Sequence, residues 1–91
     1  MPGSLEIGAI VFSKSGRDSG RYYVIVEIVD DQFVKIVDGK FRRLDKPKLK
    51  KIKHLKLTND CLKKIADKIR ANKKIFDAEI NSALRNYNGS I

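Results

Sequence analysis

The sequence predicts an α+β fold, in which a small curled β-sheet of five strands is followed by one or two C-terminal α-helices. Residues 7–37 alternate between runs rich in Val, Ile, Tyr and Phe and clusters of Gly, Asp and Ser, which is typical of strands joined by tight turns. Apolar residues at helical spacing follow after residue 60. Because the chain has 91 residues, it has room for one domain with one modest core.

The first three strands are predicted at Ile7–Phe12, Arg21–Asp30 and Phe33–Val37, with a turn at Asp30–Gln32. The second strand is apolar on both faces, because its odd and even positions are both rich in Val, Ile and Tyr. A strongly curled sheet or barrel covers such a strand on both sides more easily than an open meander does. The sequence therefore predicts a barrel-like sheet.

Two further strands are expected after Asp38-Gly39, which is a strong signal for a two-residue hairpin. The fourth strand is placed at Lys40–Leu44. Pro47 then ends regular pairing, and the lysines that follow it are expected to be solvated. His54–Leu57 alternates between polar and apolar residues again, so it is predicted as the fifth strand, which closes the sheet.

Two helices, at about Asn59–Ala71 and Asp77–Tyr87, are predicted after the sheet, and one long bent helix is the alternative. Thr58–Asp60 offers favourable N-cap residues and an acidic residue near the positive end of the helix dipole. We therefore predict a barrel over residues 5–58 and a helical extension over residues 59–91, packed together in one compact domain.

Positive charge is concentrated in the middle of the chain. The net charge is +9, which lies just beyond the magnitude of roughly 2–8 that solubility alone requires of a small domain. The segment from Lys40 to Lys74 carries fifteen Lys/Arg and three Asp/Glu, whereas the remaining residues carry five Lys/Arg and eight Asp/Glu. A clustered excess of this kind indicates a polyanionic partner.

Glycines and apolar residues between Glu6 and Asn59 follow a recognisable pattern. The residues that carry it are Gly8, Ile10, Val11, Gly20, Val24–Asp30, Val37–Gly39 and Leu57–Thr58. The stretch resembles a KOW motif, and more closely the KOW domain of the archaeal and eukaryotic large-subunit ribosomal protein family of the fourteen-e type and its short bacterial relatives. The resemblance implies a five-stranded SH3-like barrel that binds RNA, ribosomal RNA first of all, in or near the large ribosomal subunit.

We expect the basic side chains around the barrel to bind RNA phosphates, which positions a protein without reading sequence. These side chains are Lys14, Arg17, Arg21, Lys40, Arg42, Arg43, Lys46, Lys48, Lys50, Lys51, Lys53, His54 and Lys56. Gly16 and Gly20 bracket the loop after the first strand, where they serve turn geometry or close phosphate approach. Phe41 is a candidate either for base stacking or for the core.

The sequence offers no arrangement typical of an enzyme, so we predict no catalytic residue, no metal site, no cofactor and no small-molecule substrate. His54 has no second histidine to share a metal, and Cys61 is the only cysteine. Cys61 is expected in the first turn of a helix as a small apolar residue. One cysteine and no apolar run of 18 residues predict a reducing cytoplasmic setting and no membrane span. We expect a monomer in isolation.

A protein-interaction module of the transcription or translation machinery is the alternative function, since small barrels and helical faces also bind proteins. Ile80, Leu84 and Tyr87 form an apolar stripe on the last helix, and exposure of this stripe would favour that function. The lysine-rich segment counts against it.

Overall fold

A computed structural model describes residues 5–88, which form a five-stranded antiparallel sheet followed by two α-helices. The strands are β1 (Ala9–Ser13), β2 (Tyr22–Ile28), β3 (Phe33–Val37), β4 (Lys48–Lys51) and β5 (Leu55–Cys61). A short 3-10 turn, Ile52–His54, joins β4 to β5, and the helices are α1 (Lys63–Arg70) and α2 (Asp77–Asn88). The predicted α+β class is confirmed, and the C-terminal part contains two separate helices.

The sheet curls into a small SH3-like barrel, with the strand order β4-β3-β2-β1-β5. Its interior is an apolar cluster to which β1, β2, β3 and β5 contribute. The cluster contains Ala9, Val11, Tyr23, Ile25, Val34, Ile36 and Leu55. All of these side chains are buried, and the burial of apolar surface is the main favourable contribution to folding.

A second apolar cluster joins the outer face of the sheet to the helices. Its buried members are Ile10, Val24, Val37, Ile65, Ile80 and Leu84. Because neighbouring residues of a strand point to opposite faces, β2 places Tyr23 and Ile25 in the inner cluster and Val24 in the outer one. β2 is therefore covered on both faces as predicted, but the curled sheet covers only the inner face, and the helices cover the outer one.

Both helices are part of the core of the domain. Ile80 and Leu84 of α2 are 0% and 1% exposed, so most of the apolar stripe of α2 is buried and offers no docking face for a protein. Gly8 lets α1 approach the start of β1, since a Cβ at Gly8 would lie 2.8 Å from the Cβ of Ala66. The helices support the barrel by covering its outer face.

The segment after β3 is a compact loop, and the fourth strand predicted at Lys40–Leu44 is wrong. The carboxylate of Asp38 turns back onto this segment, where Oδ1 accepts hydrogen bonds from the backbone N–H groups of Lys40 at 2.9 Å and Arg42 at 2.8 Å. The N–H groups of Asp38 and Gly39 both donate to the Arg42 carbonyl. Hydrogen bonds from the backbone to a preceding aspartate side chain compete with the hydrogen bonds of strand pairing. Asp38-Gly39 therefore begins a loop and not a hairpin.

Asp77, the first residue of α2, holds this loop against the helix. Its Oδ1 accepts a hydrogen bond from the N–H of Leu44 at 2.7 Å, and its Oδ2 lies 3.4 Å from Nε of Arg43. Gly39 packs so closely that a Cβ there would lie 2.2 Å from the Asp77 carbonyl oxygen. The loop therefore depends on a contact that only glycine allows.

The lysine-rich segment forms β4, an edge strand paired with β3, in which Lys50 lies opposite Val34. Lysines are common on edge strands, because they discourage pairing with another chain. Val34 belongs to the inner cluster, so Lys48 and Lys50 face the inner side of the sheet and Lys51 faces outward. The expected solvation is therefore wrong for Lys50, which is 7% exposed.

β5 is longer than predicted, and the helix start predicted at Thr58–Asp60 is wrong. β5 continues to Cys61, and α1 begins at Lys63 without a side-chain N-cap hydrogen bond. Thr58 Oγ1 donates to the Ile10 carbonyl at 2.6 Å, so its hydroxyl joins two strands and does not cap a helix. Cys61 accordingly ends a strand.

Candidate nucleic-acid interface

Asp18, in the loop between β1 and β2, connects that loop to the loop after β3 and to strand β4. Its Oδ1 accepts a 2.9 Å hydrogen bond from Nε of Arg42, and its Oδ2 lies 3.8 Å from Nζ of Lys50. The Tyr23 hydroxyl donates to the Asp18 carbonyl at 3.3 Å. Burial, and then the negative charges of Asp18 and Asp38, raise the pKa of Tyr23 to about 12, so the phenol keeps the proton that it donates.

Lys50 connects β4 to the loop after β1. Its Nζ donates to the Ser15 carbonyl at 2.8 Å, and a Cβ at Gly16 would lie 3.0 Å from the same nitrogen. Gly16 and Gly20 have φ of +83° and +85°, a conformation that other residues rarely adopt. Turn geometry therefore accounts for both glycines.

Phe41 is an exposed aromatic residue between two basic side chains. It is 61% exposed, and its ring centroid lies 4.7 Å from Cζ of Arg21 and 5.2 Å from Nζ of Lys40. Arg21 also approaches Asp38, with 3.7 Å between Nε and Oδ2. This exposure excludes Phe41 from the core, and base stacking stays a prediction.

His54 lies in a positively charged neighbourhood. The N–H of Lys14 donates to the His54 carbonyl at 2.9 Å, which brings the loop after β1 beside the 3-10 turn. The pKa of His54 is lowered from its ordinary value, first by partial loss of hydration and then by the charges of Lys53, Lys50, Lys51 and Lys14. A site where lysines disfavour a further positive charge favours a phosphate.

The structure divides the predicted basic residues into two sets. In residues 5–88, no ion pair with a carboxylate involves Lys14, Arg17, Lys40, Lys46, Lys48, Lys51, Lys53 or Lys56. We call these eight residues the unpaired set; all are exposed except Lys48, which is half-buried. The paired set, which approaches carboxylates, comprises Arg21, Arg42, Arg43 and Lys50.

The two sets have different consequences for binding. The paired residues hold the loops of the barrel in place, whereas the unpaired residues keep their charge available to a partner. Asp18 is a residue whose role the sequence does not predict, because its partners Arg42 and Lys50 are distant in the chain. A signal was present, since Asp18 is the only acidic residue of that loop.

Cys61 and the remaining acidic groups show no sign of a metal centre. Burial, followed by the hydrogen bond and charge of Glu6, raises the pKa of Cys61 to about 11, so its thiol is protonated at neutral pH. Within residues 5–88, no three His, Cys, Asp or Glu side chains are grouped as a metal site requires. No helix in the same range has the length and apolar character to cross a bilayer.

The fold and the site together define a class of protein: a small SH3-like barrel, supported by two helices, that presents unpaired lysines and an exposed aromatic residue. No family model matches the chain, but individual relatives do. It is 38% identical over 60 residues to the large ribosomal subunit protein eL14 of Desulfurococcus amylolyticus, a match that covers 66% of the chain and 62% of that relative. The chain thus spans less than two thirds of this relative.

Two longer matches decide the family. The chain is 32% identical over 81 residues to the eL14 protein of Hyperthermus butylicus, which covers 89% of the chain and 76% of the relative. It is 31% identical over 86 residues to the eL14 protein of Staphylothermus marinus, which covers 92% of the chain and 85% of the relative. The chain belongs to the eL14 family of large ribosomal subunit proteins, which confirms the resemblance found in the sequence.

Proposed function

We propose that this chain binds ribosomal RNA as part of the large ribosomal subunit, through the unpaired set and His54 on its barrel. The observation that carries the proposal is the unpaired set itself, which lies on the loops after β1 and β3, on β4, on the 3-10 turn and at the start of β5. The names of the three eL14 relatives give the ribosomal context. In this proposal the protein is a cytoplasmic monomer before assembly, and it acts by binding alone.

The two sets of basic residues have separate roles in this mechanism. The unpaired lysines replace cations that are condensed on the RNA phosphates, and the release of those cations supplies much of the binding free energy. Arg42 and Lys50 are engaged by Asp18, so they fix the relative positions of the loops that present the unpaired set. Phe41, with Arg21 and Lys40 at its ring, offers a base a stacking surface.

The barrel and the helices have different roles in the proposed RNA binding. The barrel, predicted at residues 5–58, supplies the contact surface, and the helical extension that follows supports it. This division agrees with the outer apolar cluster, in which Ile65, Ile80 and Leu84 cover the strands.

The proposal is tested by the salt dependence of RNA binding. If about six phosphates are neutralised, the slope of log K against log salt is expected to be about −4 to −5 for a ribosomal RNA fragment measured by filter binding. Co-sedimentation with large ribosomal subunits at low salt, and release by nuclease, is the corresponding result in a cell extract. A slope near zero, or no association with the subunit, would contradict the proposal.

A further inference from the structure

A row of three aromatic rings crosses the outer face of the barrel beside α2. Phe12 and Tyr22 lie opposite each other on β1 and β2, with ring centroids 5.0 Å apart and ring planes at 59°. Tyr22 lies 5.3 Å from the ring of Tyr87, whose hydroxyl donates to a carboxylate oxygen of Asp60. That hydrogen bond is the largest cause that raises the pKa of Tyr87 to about 12. The row is anchored at Tyr87 and ends at Phe12.

A pocket of about 550 Å³ opens at the Phe12 end of this row. Lys56 lies opposite Phe12 in the pairing of β1 with β5, and Lys14 follows directly after β1. Both lysines line the pocket, no acidic residue lines it, and both belong to the unpaired set. The pocket therefore combines an aromatic wall with two available positive charges.

Asn59 adds a polar group to the same pocket. Its side chain is exposed and makes no hydrogen bond to another residue in the described range 5–88. A side-chain amide offers two donors and one acceptor oxygen, which suits the hydrogen-bonding edge of a base. The neighbouring Thr58 hydroxyl is already engaged, since it donates to the Ile10 carbonyl.

We propose that this pocket receives one unstacked base of the bound RNA, which stacks on Phe12 while the adjacent phosphates contact Lys14 and Lys56. Aromatic side chains interleaved with basic ones are the arrangement that binds single-stranded segments of RNA, because every base has a face that stacks. The inference rests on the RNA binding proposed above, and it adds a base contact to a surface otherwise described by phosphate contacts.

The experiment uses an RNA hairpin with one bulged adenosine and the same hairpin with an abasic bulge, which carries equal charge. The full chain is expected to bind the adenosine hairpin about tenfold more tightly, as stacking of one base predicts. Phe12→Leu keeps apolar volume and is expected to remove this preference. Phe76→Leu is the matched control, because Phe76 is also near a lysine, with its ring centroid 5.2 Å from Nζ of Lys74, but lies outside the pocket.

The possible outcomes separate the pocket from the general RNA binding. Salt-dependent binding with equal affinity for both hairpins overturns the pocket and leaves the proposed function standing. No salt-dependent binding of either hairpin overturns both. If an acidic peptide binds in a Phe12-dependent manner and the bulge does not, the pocket is a protein site and the inference is wrong.

A second measurement covers the case in which Phe12→Leu does not fold. Replacement of the bulged adenosine by 2-aminopurine gives a base whose fluorescence falls when it stacks on an aromatic ring. The wild-type chain is expected to quench this fluorescence, and Asn59→Asp, which places a negative charge in the pocket, is expected to reduce the quenching. An unchanged fluorescence on saturation with the wild-type chain overturns the inference.

Discussion

Within the lysine-rich strand β4, the position of each side chain determines whether its charge is buried or exposed, as Lys50 shows. It is 7% exposed, and its Nζ donates to the Ser15 carbonyl at 2.8 Å. Lys51, the next residue, is exposed on the other face of the strand. Two neighbouring lysines of one strand therefore have different roles: the first connects β4 to a loop, and the second is available to a partner.

Lys50→Met is expected to lower the free energy of unfolding by about 1–3 kcal/mol, because it removes the donor to the Ser15 carbonyl and a positive charge beside the buried Asp18 carboxylate. Methionine keeps most of the side-chain volume, so the loss reports the ammonium group. Lys51→Met is the control and is expected to stay within about 0.5 kcal/mol of wild type. Urea melts of both variants measure this difference. Equal stability in all three proteins would show that the ammonium group of Lys50 contributes nothing to folding.

His54 is expected to couple RNA binding to proton uptake. Its pKa is lowered in the free protein by partial loss of hydration and by Lys53, Lys50, Lys51 and Lys14, and a phosphate bound among these lysines opposes that effect. The pKa is therefore higher in the complex, so the RNA affinity rises as the pH falls through the pKa of His54.

NMR titration measures this prediction directly, because the chain contains one histidine. The His54 pKa is expected to increase on addition of ribosomal RNA, and His54→Gln is expected to flatten the dependence of affinity on pH between about pH 5 and 8. An unchanged His54 pKa at saturation with RNA would place the phosphates elsewhere on the barrel.

At the scale of elements, α2 completes the outer core and also holds a loop of the barrel. Ile80 and Leu84 pack on the strands, and Asp77 at its start accepts the N–H of Leu44. A helix that contributes core residues and fixes a loop is part of the folding unit, in contrast to a helix that docks a partner.

Leu84→Ala is expected to destabilise the chain by about 2–5 kcal/mol, as truncation of a buried leucine does. Arg85→Ala, at an exposed position of the same helix, is expected to change stability by no more than about 0.5 kcal/mol. A chain cut after Asn72 is expected to lose its cooperative melt, which calorimetry detects. A cooperative melt of the cut chain with RNA binding retained would instead make α2 dispensable for folding and restore the protein-module interpretation.

At the scale of the whole molecule, we expect RNA binding to depend more on the position of the positive charges than on their total. The unpaired set lies on the loops and strands of the barrel, while a second group of lysines belongs to α1 and the turn after it. Lys63, Lys64 and Lys73 of that group are exposed. The two groups provide a test in which net charge is held constant.

Replacement of Lys51, Lys53 and Lys56 by Gln lowers the net charge by three, from +9 to +6, and so does replacement of Lys63, Lys64 and Lys73. The first triple variant is expected to weaken RNA binding and reduce the magnitude of the salt slope by about two to three. The second is expected to retain most of both. Similar losses in the two variants would mean that RNA responds to total charge, and that the barrel face has no special role.

Short-range patterns in the sequence were enough to determine the fold class, β2 with its two apolar faces, β3, α2 and the mainly basic middle of the chain. The physical reason is that strand alternation, helical spacing and turn residues act between neighbours in the chain. The family resemblance, too, rests on such local patterns in residues 6–59.

The tertiary structure alone decided which basic residues remain available. Lys50 and Ser15 are 35 positions apart, and Asp77 and Leu44 are 33 apart. Asp38 could begin either a hairpin or a loop by local rules, and the contact of Gly39 with α2 is part of what fixes the loop. Phe12 and Lys56 become neighbours only when β1 pairs with β5. Contacts of this kind depend on how distant segments pack, and local periodicity carries no information about them.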